Sequence, residues 1–219
     1  MPQKIGFHVV HATSQDDLYK IQQLNTQKPT SIGWRSARYC VYPQTVIIQL
    51  NEPVRIRKIQ ILSHQYIVAS KIELFTGNVE VKYDQVSYES AHFVRLGYVT
   101  MTDTHDAQIS GRELKSINVD TIGMFIKFVL HKNYLNEKNV YNQNIETLLE
   151  FNTLSNIDIS GCHEIKEKQL YVCLEHVGKQ LHSFLFSKCF QLRENFYQNF
   201  SEYIPNIRYF PMNVLSNSR

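Results

Sequence analysis

Between residues 5 and 131 the chain is a succession of short apolar runs with a period of two, and little sequence between them could form a helix. Ile5, Phe7 and Val9 alternate with Gly6, His8 and Val10. Val46, Ile48 and Leu50 share one face, and Asn51-Glu52-Pro53 is expected to break that run. From Val54 to Leu62 the phase slips: Val54 and Ile56 have one parity, Ile59 and Ile61 the other. One extra residue in a β-bulge produces such a slip, because it turns every later side chain over. Ile72 and Leu74 continue the pattern, with a turn expected at Thr76-Gly77-Asn78. Further strands are expected at 93–101, 114–119 and 124–131. The segment 145–151 is ambiguous, since Ile145, Leu148 and Leu149 also fit helical spacing. Parallel strands need crossover helices, and one short helix, at 16–24, is all the sequence offers. The pattern therefore predicts a mainly β fold, an antiparallel sandwich of about seven or eight strands, with the jelly roll as its natural form.

After about residue 160 the period changes. Leu170, Leu174, Val177, Leu181, Phe184, Leu185, Cys189, Leu192 and Phe196 recur at spacings of mostly three and four. That spacing predicts an amphipathic helix of roughly seven or eight turns, interrupted by Gly178 at a cost of about 1 kcal/mol relative to alanine. The tail from Ile204, with Pro205 and Pro211, reads as irregular. The expected organisation is a sandwich domain over 1–155, then a helical segment and tail over 156–219.

Composition narrows the function classes. Apolar residues make up 43% and charged residues 20% of the 219-residue chain, which excludes a disordered or collagen-like polymer. The net charge of +3 does not by itself predict nucleic-acid binding. No apolar run approaches the ~20 residues needed to cross a bilayer. The opening Met1-Pro2-Gln3-Lys4-Ile5-Gly6-Phe7 lacks the apolar core of a secretory signal, and Pro2 precludes myristoylation. Cys40, Cys162, Cys173 and Cys189 form no Cys-x-x-Cys pair, so reduced thiols inside a cell are expected rather than a disulfide scaffold.

Motifs for catalysis or metal binding are missing from the sequence. Cys162, His163, Cys173, His176, His182 and Cys189 lie close together, but without the two tight pairs that a zinc site uses. His8 and His11, three apart on a strand, face opposite ways. There is no nucleophile elbow, phosphate-cradling glycine loop or His-Glu-x-x-His. Asp16-Asp17 reads as a helix cap. No catalytic residue, metal site or cofactor is assigned.

The basic residues are the better lead. Arg35 and Arg38 follow Trp34, the single tryptophan, and Arg55 and Arg57 share a strand face. Lys71, Arg95 and Arg112 add to them, against Glu52, Glu73 and Glu113. Converging on one side of a sandwich, these cations would face an acidic partner. His64 lies just past a strand end, where sandwich loops bind. The candidate binding residues are therefore Trp34, Arg35, Arg38, Arg55, Arg57 and His64.

Several stretches together carry a resemblance. They are Gly33-Trp34-Arg35-Ser36-Ala37-Arg38-Tyr39-Cys40 with Tyr42-Pro43-Gln44, and Arg55-Ile56-Arg57-Lys58-Ile59-Gln60-Ile61-Leu62-Ser63-His64-Gln65-Tyr66 with Ser70-Lys71-Ile72-Glu73. Arg95-Leu96-Gly97-Tyr98-Val99, Arg112-Glu113-Leu114-Lys115-Ser116, Val119-Asp120 and Asn139-Val140-Tyr141-Asn142-Gln143 follow in order. From about residue 2 to 145 the chain resembles the N-terminal domain of the centrosomal protein of 104 kDa family. The resemblance implies a galactose-binding-like jelly roll and a place at growing microtubule ends, the ciliary tip and the distal centriole. It implies no ligand site or catalytic residue. Ser201-Glu202-Tyr203-Ile204-Pro205 has one residue too many to match the Ser-x-Ile-Pro signal of that family.

The expected function is thus a non-enzymatic interaction module of a ciliary-tip or centriolar microtubule-associated protein. Its expected partners are ciliary or centriolar proteins, tubulin among them, with neither nucleic acid nor membrane. A lectin-like module binding carbohydrate or a small ligand is the alternative, supported by fold analogy.

Overall fold

The computed structural model describes residues 3–26, 31–79, 86–103, 112–134, 145, 148, 153–162, 165–189, 192 and 194–208. The chain forms two compact units, one of residues 1–36 with 42–139, the other of residues 37–41 with 140–219. The boundary expected at 155 falls inside the second.

Among the described residues, the first unit has five antiparallel strands where about seven or eight were expected: β1 (Phe7–Ala12), β2 (Gln44–Leu62), β3 (Lys71–Asn78), β4 (His92–Thr100) and β5 (Leu114–Leu130). Their order across the sheet is β1-β2-β5-β3-β4. β1 pairs with Val46 to Leu50 of β2, and β3 with Phe125 to Leu130 of β5. Beyond those points Val54–Leu62 and Leu114–Gly123 pair with each other. This far arm packs Ile59, Ile61 and Val119 against clusters that also hold Phe128. The arm covers the core of the sheet, and the result is the expected antiparallel jelly-roll sandwich.

Two expected breaks do not occur. Asn51-Glu52-Pro53 continues β2, with a register irregularity between Gln49 and Val54, and 114–119 joins 124–131 in one strand. Prolines are tolerated where the ladder is already irregular. Likewise Thr76-Gly77-Asn78 remains within β3. The register does shift after Ile56, but the extra residue is in β5 and not in the Val54–Leu62 run where the bulge was expected. Ile56 pairs with Thr121 and Lys58 with Asn118, so Val119 and Asp120 together oppose Arg57.

The helix expected at 16–24 is a 3-10 turn over Ile21–Asn25. Polar side chains capture the preceding backbone instead: Leu18 N–H donates to Asp16 Oδ1, and Ile21 N–H to Gln15 Oε1.

The long C-terminal helix is replaced by a mixed unit. β6 (Asn156–Asp158) runs parallel to β7 (Ser183–Leu185), and α1 (Glu167–Val177) provides the connection such a pair requires. A 3-10 turn covers Gly178–Gln180, and α2 (Glu194–Tyr203) follows. Of the apolar stripe, Leu170, Leu174, Val177, Leu181, Phe184, Cys189, Leu192 and Phe196 are buried in one cluster with Tyr39 of the 37–41 segment, whereas Leu185 is only half-buried and Phe186 takes its place in the cluster. Ile145 and Leu148 lie in 3-10 turns and join it, in keeping with their helical spacing; the rest of 145–151 lies outside the described residues.

Candidate functional site

Each basic residue singled out above is held differently. Ser14 to Asp16 and Trp34-Arg35 are zipped together near one end of the first unit. Asp16 N–H donates to Arg35 O, Arg35 N–H to Tyr19 O, and Trp34 Nε1–H to Ser14 O at 3.0 Å. Arg35 Nη2 meets Asp16 Oδ2 at 2.6 Å, and its guanidinium lies 4.2 Å from the Tyr19 ring centroid. The Asp16 side chain is 7% exposed and that of Arg35 22%, so this pair fastens the loop more than it offers a free charge. Trp34 is half-buried, in accord with a structural role at the entry to the sandwich.

Arg55 and Arg57 remain exposed, on the outer face of the far arm. Both bind Asp120: Arg55 through Nε and Nη2 at 2.7 Å each, Arg57 through Nη1 at 3.1 Å. The hydrogen bond from Arg55 holds the Asp120 carboxyl below the usual carboxylate range, and the same bond raises Arg55. Two cations sharing one anion leave this face weakly basic.

His64 lies past the end of β2. Its Nδ1 accepts a hydrogen bond from Tyr66 N–H at 3.1 Å. Desolvation, then the charges of Arg112 and Arg35, push its imidazole below the ordinary histidine value. Beside it, Leu62 and Leu114 pair across the strands and are each 57% exposed. Ser63 N–H donates to Glu113 O, and the Glu113 carboxylate accepts from Thr102 N–H at 2.9 Å. Arg112, whose charge acts on the His64 imidazole, therefore belongs with His64 at this end. Pairing of Leu62 with Leu114 was not visible before the register was known. Arg38 is exposed and belongs to the second unit, whereas the other candidate residues belong to the first.

Among the described residues, no three His, Cys, Asp or Glu side chains group as metal ligands would, and no helix is long and apolar enough to cross a membrane. The four cysteines are buried free thiols. Burial pushes the Cys173 thiol up to about 12 and raises Cys189 as well.

The first unit is, by fold and surface, a jelly-roll sandwich with a mixed apolar and basic loop end. The profile of the family described as "Centrosomal protein CEP104, N-terminal domain" matches residues 33–155, and the chain belongs to this family. The centrosomal protein of 104 kDa from Homo sapiens is 43% identical over 143 residues, covering 65% of this chain and 15% of that protein. The protein of that name from Rattus norvegicus is 39% identical over 154 residues, covering 70% and 16%. The chain thus matches only a small part of the length of these relatives. Among solved structures, reduced XRCC1 bound to the DNA polymerase β catalytic domain has a TM-score of 0.46 at 15% identity, covering 61% of this chain and 89% of that one. A family 32 carbohydrate-binding module of Clostridium perfringens NanJ, in complex with galactose, has a TM-score of 0.45 at 12% identity, covering 58% and 84%. Likenesses this distant carry nothing about ligand or partner.

Proposed function

We propose that this chain is a non-enzymatic protein-interaction module that acts at the centriole and the ciliary tip and meets an acidic partner, tubulin in the first instance. Family membership supports the cellular setting. The observation that carries the interaction reading is the loop end, where the exposed Leu62–Leu114 pair sits beside His64 and Arg112. Exposed apolar side chains beside the Arg112 guanidinium suit a partner that combines an apolar contact with an acidic group. Trp34 and Arg35 stiffen the neighbouring loop. Arg55 and Arg57 extend the basic character along the far arm.

A fluorescent fusion of the chain, expressed in ciliated cells, tests this. The expected result is accumulation at centrioles and cilia that Leu62→Asp/Arg112→Glu reduces. Diffuse fluorescence, or accumulation untouched by that variant, would overturn the assignment of the loop end.

A further inference from the structure

Away from the loop end, the outer face of the β3–β4–β5 part of the sheet has a distinct chemistry. Strand alternation turns Ile72, Leu74 and Thr76 inward, where all three are buried. It turns Lys71, Glu73 and Phe75 outward. Register then places Tyr98 and Val129 on either side of Glu73, and Arg95 and Lys127 on either side of Phe75. Glu73 is the hub: Lys71 Nζ lies 2.8 Å from Oε1, His131 Nε2 3.4 Å from Oε1, and Arg95 Nε 3.5 Å from Oε2. The Glu73 side chain is 19% exposed, whereas those of Lys71 and Arg95 are 36% and 49% exposed. The carboxylate thus sits low and the cations stand proud of it. The hydrogen bond from Lys71, and then the charges of Lys71, Arg95 and His131, hold the Glu73 carboxyl below its ordinary value against some desolvation.

Lys127 is fixed in another way. Its Nζ lies 4.6 Å from the Phe75 ring centroid and 4.3 Å from that of Phe93, between two aromatic faces. Gly77 makes room for one of them, since a Cβ there would lie 2.6 Å from the Phe93 ring. Tyr98, 58% exposed, lies 5.9 Å from Lys71 Nζ and 5.8 Å from the Arg95 guanidinium. Among the described residues named here, Lys71, Arg95 and Lys127 stand against the carboxylate of Glu73 and leave a surplus of two positive charges, before any contribution from His131.

We propose that this face is a docking site for an acidic peptide segment of a partner protein, whose carboxylates engage Lys71 and Arg95 while its backbone lies along Tyr98. Charge complementarity selects the class of partner, and the ring contacts hold the cations in place before binding, which lowers the ordering cost. A nucleic acid fits less well. Base stacking needs several open aromatic faces, and here Lys127 already occupies those of Phe75 and Phe93, which leaves Tyr98 as the exposed ring among these three. The site is separate from the loop end, and its failure would leave the reading of that end intact.

The test is fluorescence anisotropy of the 219-residue chain with a fluorescein-labelled oligoglutamate peptide, with oligoglutamine and oligothymidylate as comparison probes. Binding to oligoglutamate should weaken with added salt, and Lys71→Gln/Arg95→Gln should weaken it about tenfold. Glu73→Gln removes the internal competitor and should tighten binding about threefold, a gain that misfolding cannot produce. Lys168→Gln/Lys179→Gln, which removes two exposed charges outside both surfaces, should leave it unchanged. A loss in this variant equal to that in Lys71→Gln/Arg95→Gln would mean diffuse attraction and overturn the site. So would weaker or unchanged binding in Glu73→Gln, or oligothymidylate binding more tightly than oligoglutamate.

Discussion

Arg55 grips Asp120 across β2 and β5 through two hydrogen bonds of 2.7 Å each, in the fork-to-fork geometry that favours arginine over lysine. The bulge makes this geometry possible. Because Val119 and Asp120 together oppose Arg57, Asp120 is brought within reach of both arginines, and Arg57 adds a third bond at 3.1 Å. A carboxylate held below its ordinary value means that the folded chain binds fewer protons than the unfolded chain in acid. The stabilisation is present above the ordinary aspartate value of about 4 and is lost as pH falls through the folded value. Asp120→Asn should flatten the acid limb of stability, read as the urea midpoint from about pH 5 down to about pH 2. Both side chains are exposed, so this flattening, and the matching drop in midpoint at neutral pH, should be small.

His64 should give the opposite end of the pH profile its slope. Its Nδ1 accepts from Tyr66 N–H, a bond that protonation at that nitrogen would break. Desolvation, Arg112 and Arg35 act in the same direction. The unfolded chain therefore takes up this proton first, at about pH 6.5, and stability should fall as pH drops through that value towards the lower folded one. Thermal melts from about pH 8 to about pH 5 should show the decline in the native chain, a smaller one in Arg112→Gln and none attributable to this group in His64→Gln. A His64→Gln profile matching that of the native chain would show that His64 is not the titrating group.

Gly178 separates helix propensity from packing. Propensity alone predicts that Gly178→Ala stabilises the chain by about 1 kcal/mol. In the structure a Cβ at that position would lie 2.1 Å from the Tyr203 carbonyl oxygen, because the end of α2 passes directly over it. Gly178→Ala should therefore destabilise the second unit, by about 1–3 kcal/mol, measured by urea denaturation. A stabilised variant would contradict the packing described for α1 and α2.

The second unit also shows where sequence reasoning reaches its limit. The buried members of the stripe from Leu170 to Phe196 were identified, because burial follows side-chain type and spacing. The element was not, because spacings of three and four across a stretch holding Gly178 also arise from a helix, a turn and a strand in succession. The alternation of Phe184 and Phe186, both fully buried around an intermediate Leu185, was the available strand signal. In the first unit the alternation of Ile72 and Leu74 with Lys71 and Glu73 marks the strand, and the parity slip after Ile56 marks the register shift but not the strand that carries the extra residue. Pairing partners were not legible. That Leu62 faces Leu114, or that Arg55 and Arg57 share Asp120, depends on contacts between residues some fifty or more positions apart. A charge in the sequence carries no mark of whether a partner neutralises it, and for this reason Arg35 looked freer than it is.

The thiols should be inert in the folded chain. Cys40, Cys162, Cys173 and Cys189 are all buried, and burial raises both Cys173 and Cys189, keeping them as thiols rather than nucleophilic thiolates. Titration with a chromogenic disulfide reagent at about pH 8 should release almost no colour until denaturant is added, and then the equivalent of four thiols. Rapid native labelling of any one would place that side chain at the surface.

Co-pelleting of the purified chain with polymerised tubulin at low and at near-physiological salt tests the central claim most directly. The account predicts that the chain pellets at low salt, that added salt releases it, and that Leu62→Asp/Arg112→Glu weakens it under both conditions. A chain that stays in the supernatant at both salts, or that pellets without regard to salt or to the loop-end substitutions, would contradict it.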